Sequence, residues 1–292
     1  MFAEAVSIAS RFTRPVIIST RRIDGTVSSA IGSFVILNEE GWILTVAHLW
    51  QSYFEYKKHE SAVKRYRDEL ASIKSDTRLS EKKREKLISS IEMDKGVIQN
   101  HSFWWGEDGV VLKDIKSYPE GDIITGRLEP FNKRRDMRFP VIKNPDMNLD
   151  IGTSLCKLGY PFHKIKASFD EDKGAFILPG KTAPALFPIE GIFTRHVIAG
   201  RSKRTNKDIK FLETSSPGLM GQSGGPIFDT KGTIWAIQSR TVHFPLGFSP
   251  KIKKRGKEIE ENQFLNVGWG VHPTTVVQFL GDSGIDFRMS NY

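Results

Sequence analysis

The chain has 292 residues, of which 39% are hydrophobic and 26% charged. That is enough apolar material for a sizeable core and too much for a chain disordered by composition. The formal charge of +9 raises the question of nucleic acid or an anionic surface, and the single cysteine, Cys156, rules out an intramolecular disulfide.

The basic residues gather at 201–210 and 251–257, in Gly-, Ser- or Asn-containing stretches without apolar periodicity. They read as solvated loops, with a patch for an acidic partner as the functional alternative. No RNA- or DNA-reading motif accompanies them, so a nucleic-acid partner is not expected. No run approaches the roughly 18 apolar residues of a membrane span, and residues 1–10 lack a basic start followed by an apolar core. With one cysteine and no such leader, a cytoplasmic setting is the expectation.

In chain order, 25 glycines and 14 prolines scattered among short apolar runs favour a turn-rich β protein. Strands are predicted at 16–20, 33–37 and 42–46, the last two joined by a turn ending in Gly41. The second strand of that hairpin delivers Ala47 and His48 at its end. Residues 51–100 differ, being rich in Lys, Arg and Glu. Val63, Tyr66, Leu70 and Ile73 fall on one helical face. Ser80 is placed to cap a second helix with Leu87, Ile91 and Ile98 as its stripe. The expectation is an antiparallel helical hairpin over 51–100, either a solvated insertion or an arm on which a regulatory protein docks. The β pattern returns from Val110 to about Val271, and a short helix is expected at 273–281, with Pro273 at its start.

The strongest local signal is Gly221-Gln222-Ser223-Gly224-Gly225-Pro226. A serine hydroxyl is a weak nucleophile and needs a base and donors for the oxyanion it creates. Glycines on both sides let the backbone turn sharply and present N–H groups, here those of Gly221 and Ser223. The motif also satisfies the Gly-x-Ser-x-Gly elbow of α/β-hydrolases, which requires a helix after the serine and the order Ser, acid, His. Residues 226–237 instead read as strand, turn, strand, and the candidate base His48 lies far upstream.

His48 within Thr45-Val46-Ala47-His48, followed much later by Gly-Gln-Ser-Gly-Gly-Pro, resembles the trypsin-like superfamily. The blocks Leu155-Cys156-Lys157-Leu158-Gly159-Tyr160-Pro161-Phe162, Glu190-Gly191-Ile192-Phe193-Thr194 and Asn266-Val267-Gly268-Trp269-Gly270-Val271-His272-Pro273 resemble, more specifically, the bacterial Htr (Deg-type) protease domain. The resemblance spans most of 30–282 and leaves out the helical segment.

It implies an all-β fold with a helical insertion: two six-stranded antiparallel β-barrels, a helical hairpin and a short C-terminal helix. The whole chain, 1–292, would be one peptidase domain. Its N-terminal barrel would span about 12–130, interrupted by 51–100, and its C-terminal barrel about 137–271. The resemblance further implies a serine endopeptidase working through His48, Asp122 and Ser223, without cofactor or metal, on protein or peptide substrates. Asp122 is chosen because Gly121-Asp122-Ile123-Ile124-Thr125-Gly126-Arg127-Leu128 is similar to the family's acid-bearing strand, with Asp114 and Asp150 as competitors.

The same likeness puts the specificity pocket at Pro217, Met220, Gln238, Ser239, Arg240 and Thr241. No aspartate stands at Pro217, so cleavage after Lys or Arg is not expected. A small or medium apolar P1 residue is, with an acidic P1 read by Arg240 or His243 as the alternative. Gln222 occupies the place where trypsin zymogens keep an aspartate, so activation by a new N-terminal ammonium is not expected. The chain stops at Tyr292, which leaves no room for a PDZ domain, and control by a partner is expected instead. The rival from another class is a catalytically inactive scaffold that binds proteins.

Overall fold

The computed structural model describes residues 1–91, 93–179, 184–254 and 257–292. The chain starts with helix α1 (Ala3–Ser10), which has no side-chain cap at Phe2 and so carries no start signal in the sequence. Its Ala5 and Ala9 are fully buried, and Phe2 meets Phe228 edge-on at 6.3 Å.

Six strands then form one antiparallel sheet. They are β1 (Thr13–Arg22), β2 (Val27–Ile36), β3 (Trp42–Thr45), β4 (Ile98–Trp104), β5 (Val111–Tyr118) and β6 (Ile123–Glu129), in the order β4-β1-β2-β3-β6-β5. Among the described residues no ladder joins β4 to β5, so the six antiparallel strands expected here form a half-barrel sheet.

Helices α2 (Gln51–Ser75) and α3 (Glu81–Ser90) interrupt it between β3 and β4. Ser80 caps α3 by accepting from Lys83 N. The hairpin ends sooner than 100, however. Ile91 leaves the helix with ψ 104°, Asp94 caps a turn through Gly96 N, and Ile98 pairs with Arg22 in β4. The seven-residue step from Ile91 to Ile98 fits two helical turns, which is why the pattern misled; pairing with β1 decides it.

The second sheet is built from β7 (Val141–Ile142), β8 (Ser154–Gly159), β11 (Phe187–Arg201), β12 (Asp208–Thr214), β13 (Pro226–Phe228), β14 (Ile234–Pro245), β17 (Phe264–Val271) and β18 (Arg288–Met289). The pairing β13–β14 closes β13-β8-β11-β12-β17-β14 into a six-stranded ring, and β7 and β18 extend it with parallel pairings. Two small hairpins stand outside it, β9 (Ser168–Asp170) with β10 (Ala175–Ile177), and β15 (Lys251–Lys254) with β16 (Lys257–Glu260).

The first basic stretch is a loop at 202–207, as expected, whereas the second is largely strand. Arg201 and Lys210 belong to β11 and β12, and Lys251–Lys254 is strand; of this second stretch, residues 255 and 256 lie outside the described ones.

Helix α4 (Pro273–Asp282) follows the barrel. One apolar cluster takes Val35, Leu44 and Ile123 from the first sheet, Leu158, Ile237 and Val271 from the second, and Val276 and Leu280 from α4. A shared core fixes the two sheets against each other, and the candidate site lies where they meet.

Candidate active site

His48 does not end its strand but sits in a 3₁₀ turn, Ala47–Trp50, immediately after β3. The turn points both its backbone and its ring at one carboxylate. His48 N donates to Asp122 Oδ1 at 2.9 Å, and the ring Nδ1 lies 2.9 Å from Asp122 Oδ2 and 3.2 Å from Oδ1. An ionised carboxylate only accepts, so the proton sits on Nδ1 and the Nε2 lone pair is free.

Asp122 has φ +53° before β6, is 3% exposed and also accepts from Ser239 Oγ. Arg240 stands 3.8 Å away. Burial works against the charge on Asp122, but the hydrogen bonds and charge of His48 and the hydrogen bond of Ser239 outweigh it and hold the carboxyl below its usual range. The competing acids lie elsewhere: Asp114 pairs with Arg127 at 2.9 Å, and exposed Asp150 uses its backbone carbonyl to close a turn with Thr153.

Ser223 comes from the other sheet, on a loop that its glycines make possible. Gly221 (φ +98°) and Gly224 (φ +84°) occupy the left-handed region. A Cβ at Gly221 would collide with Tyr160 O, and one at Gly224 with Ser33 O and Thr45 Oγ1. The loop is tied to the first sheet by Ser33, whose N donates to Ser223 O at 2.8 Å and whose Oγ donates to Gly221 O at 2.7 Å. Gln222 is fully buried; its Oε1 accepts from Leu219 N at 3.0 Å and its Nε2 donates to Phe187 O at 3.2 Å. Among the described residues, Gly221 N and Ser223 N have no acceptor in the chain.

Ser223 Oγ donates to Ser239 O at 3.3 Å, and among the described residues it makes no hydrogen bond to His48. Ser239 therefore touches both Asp122 and Ser223. It does so because the β14–β17 ladder slips between Gln238 and Arg240; the extra residue of a bulge turns its side chain out of the regular alternation. Neither this bridge nor the Ser33 ties are visible in the sequence, where Ser33 reads as an ordinary strand residue and Ser239 only as part of the pocket lining.

Pro217, Met220, Gln238, Ser239, Arg240 and Thr241 line one cleft of about 460 Å³ together with Ser223. Met220 is 92% exposed at its edge, and Thr241 Oγ1 braces the facing wall by donating to Gly218 O at 2.6 Å. Gln238 donates to Arg240 O and Trp269 O, and among the described residues its buried Oε1 has no partner. Among the described residues no group of His, Cys, Asp and Glu is arranged to hold a metal ion.

Residues 32–237 match the family model of the trypsin-like peptidase domain, and the chain belongs to that family. Its structural neighbours include an HtrA-type protease, AlgW, with a tripeptide: 15% identity, TM-score 0.47, 98% of this chain and 64% of that one covered. Another is the Rv3671c protease from M. tuberculosis in its active form, with 11% identity, TM-score 0.48, and 98% and 86% covered. The chain thus spans less than two thirds of the length of the first neighbour. No curated protein matches it. Among the described residues no helix is long and apolar enough to cross a membrane.

Proposed function

We propose that the chain is a serine endopeptidase in which Ser223 is the nucleophile, His48 the general base and acid, and Asp122 the group that orients and charges the imidazole. The observation that carries this is one short chain of contacts. Asp122 receives His48 Nδ1 and Ser239 Oγ, and the carbonyl of the same Ser239 holds the hydroxyl of Ser223. At 3.3 Å that last bond is weak and readily given up.

In the proposed reaction Ser223 Oγ attacks the scissile carbonyl carbon as its proton passes to His48 Nε2. The carbonyl oxygen takes up negative charge and accepts from Gly221 N and Ser223 N, the two amides without an acceptor. Buried, ionised Asp122 stabilises the imidazolium. The imidazolium then gives its proton to the leaving amine, and an ester on Ser223 remains. Water, deprotonated by His48, attacks that ester and releases the acid product with the hydroxyl restored. Gln222 holds the loop through its own amide, so no new N-terminus is required. Substrates are proteins or peptides; a cytoplasmic setting rests on the lone Cys156, and partner control on the helical arm, whose Gln51 N donates to His48 O.

A second reading, the inactive binding scaffold, is favoured by the position of the Ser223 hydroxyl, which faces Ser239 O rather than the imidazole. A fluorophosphonate decides between them, because it labels an activated serine and not an ordinary one. Wild type is expected to label and Ser223→Ala not to, with turnover lower by about 10⁶ in the variant. An unlabelled wild type, or equal labelling of both, overturns the peptidase reading.

A further inference from the structure

Beneath the cleft beside Ser223 lies a cation that the proposed reaction does not use. Lys157, in β8, is 1% exposed. Its Nζ donates to Ser216 O, to Ser216 Oγ at 3.0 Å and to Pro217 O at 3.2 Å. All these acceptors are neutral, and among the described residues no carboxylate forms an ion pair with it. Buried charges in proteins are normally paired, because an isolated ion gives up several kcal/mol of hydration. Burial accordingly pushes the Lys157 amine down to about 7.

The cleft is aimed at this group. In the β14–β17 ladder His243 lies opposite Asn266 and Thr241 opposite Gly268. Opposed residues, and residues two apart on one strand, share a face. The face that shows His243 and Asn266 at its exposed end therefore shows Thr241 and Gly268 at its inner end. His243, Asn266 and Thr241 line the cleft, as does Pro217, whose carbonyl Lys157 holds. Gly268 has no side chain, and a Cβ there would collide with Lys157 Nζ. Gly268 thus follows Asn266 and Thr241 on this face, just inside the cleft lining, and the Lys157 amine lies behind it. Among the described residues no Asp or Glu lines the cleft, whereas Arg240 and His243 do.

We propose that Lys157 is a specificity-determining residue and that the cleft takes an acidic P1 side chain, so that the enzyme cuts after Glu or Asp. This rests on the serine endopeptidase reading above. It departs from the apolar P1 first expected from the sequence and adds Lys157 to the acidic alternative read by Arg240 or His243, because this charge comes from β8 rather than from the loop before Ser223, and only the barrel brings the two together.

The test is a set of peptides identical except at P1, with Glu, Gln, Asp, Asn, Val and Lys, assayed near pH 6, below the value of about 7 to which burial pushes the Lys157 amine. The acids are expected to exceed their amides in kcat/KM by about tenfold or more. Lys157→Met is expected to bring the Glu-to-Gln ratio toward one. The readout is a ratio within one protein, so a general loss of rate does not obscure it. Should Lys157→Met fail to fold, the wild-type ratio stands as the test. Val or Lys favoured at P1 overturns the proposal, and so does a ratio unchanged in the variant. Gln favoured over Glu also overturns it, and assigns recognition to the unpartnered Oε1 of Gln238. A wild type that labels with fluorophosphonate but fails these comparisons loses only the P1 assignment; one that does not label loses the peptidase reading and this inference together.

Discussion

The first sheet contributes to the candidate site through side chains, His48 and Asp122, held by hydrogen bonds that other residue types cannot copy. The second contributes mainly through backbone: the loop around Ser223 is shaped by positive φ values and by approaches too close for any Cβ. The difference teaches where each half is vulnerable. Changing a functional group in the first half spoils chemistry and leaves the fold intact, whereas adding a single carbon in the second half disturbs the fold itself.

The largest expected effect that separates the halves is Asp122→Asn. The amide nitrogen donates, so it favours the wrong imidazole tautomer, and a loss of about 10⁴ in kcat is expected by analogy with the serine-protease template. Thermal unfolding should move little by comparison, since the side chain keeps its shape. A variant with near-normal kcat would remove Asp122 from its proposed role.

Gly224→Ala should do the reverse. The left-handed backbone disfavours alanine by about 1–3 kcal/mol, and overlap with Ser33 O and Thr45 Oγ1 adds a further 1–3 kcal/mol or so of overpacking. The expected result is a melting temperature lowered by several degrees, with activity lost because Ser223 shifts. Wild-type stability for this variant would show that the loop is not held as tightly as its contacts imply.

A smaller effect is expected at the joint between the halves, helix α4. Its cap His272 accepts Thr274 N on Nδ1 and lies 2.9 Å, through Nε2, from His196 Nδ1. Burial first, then the charges of His196 and Lys210, push its pKa down to about 3. The folded protein therefore keeps this ring neutral, while the unfolded chain protonates it near 6.5. Its contribution is complete above about pH 6.5 and is lost as the pH falls toward 3, by about 1.4 kcal/mol per unit within that window. His272→Asn retains a capping acceptor without the titration. Denaturant unfolding between pH 6 and 4 should then have a shallower acid slope in the variant; equal slopes would show that His272 does not couple folding to protons.

The residues of the candidate site were legible in the sequence to the extent that the pattern there is local. Gly221, Ser223 and Gly224 stand together because a sharp turn demands glycine, and His48 follows an apolar hairpin strand. What depends on strand neighbours was not legible. The bulge that turns Ser239 toward Asp122 and the passage from Gly268 to Lys157 both arise from pairings between strands far apart in sequence. Helix α1 carries no cap, and β15 and β16, rich in Lys and Glu, lack the apolar alternation by which a strand announces itself. Ile98 shows the opposite failure, a spacing that fits a helix until its pairing with Arg22 is known.

The helical arm tests the comparison at its weakest point, because it grows from the side-chain half directly behind His48. Trp50 is 2% exposed and packs against Phe103 and Trp105 with ring centroids 4.8 and 5.3 Å away, while Ser52 Oγ meets His101 Nε2 at 3.0 Å. Farther out the anchoring thins: Val63 is the one buried residue of α2, and α3 has none among the described residues. A load on the outer arm would reach His48 through this root, where Gln51 N donates to His48 O. Replacing residues 57–96 with a short Gly/Ser linker keeps that root and removes the lever. Stability should change little, because so little is buried, whereas kcat or its response to a partner should change, by up to about 100-fold if the imidazole shifts on the order of 1 Å. Steady-state kinetics identical to wild type, with an identical response to any co-purifying protein, would make the arm a solvated insertion and leave His48 governed by Asp122 alone.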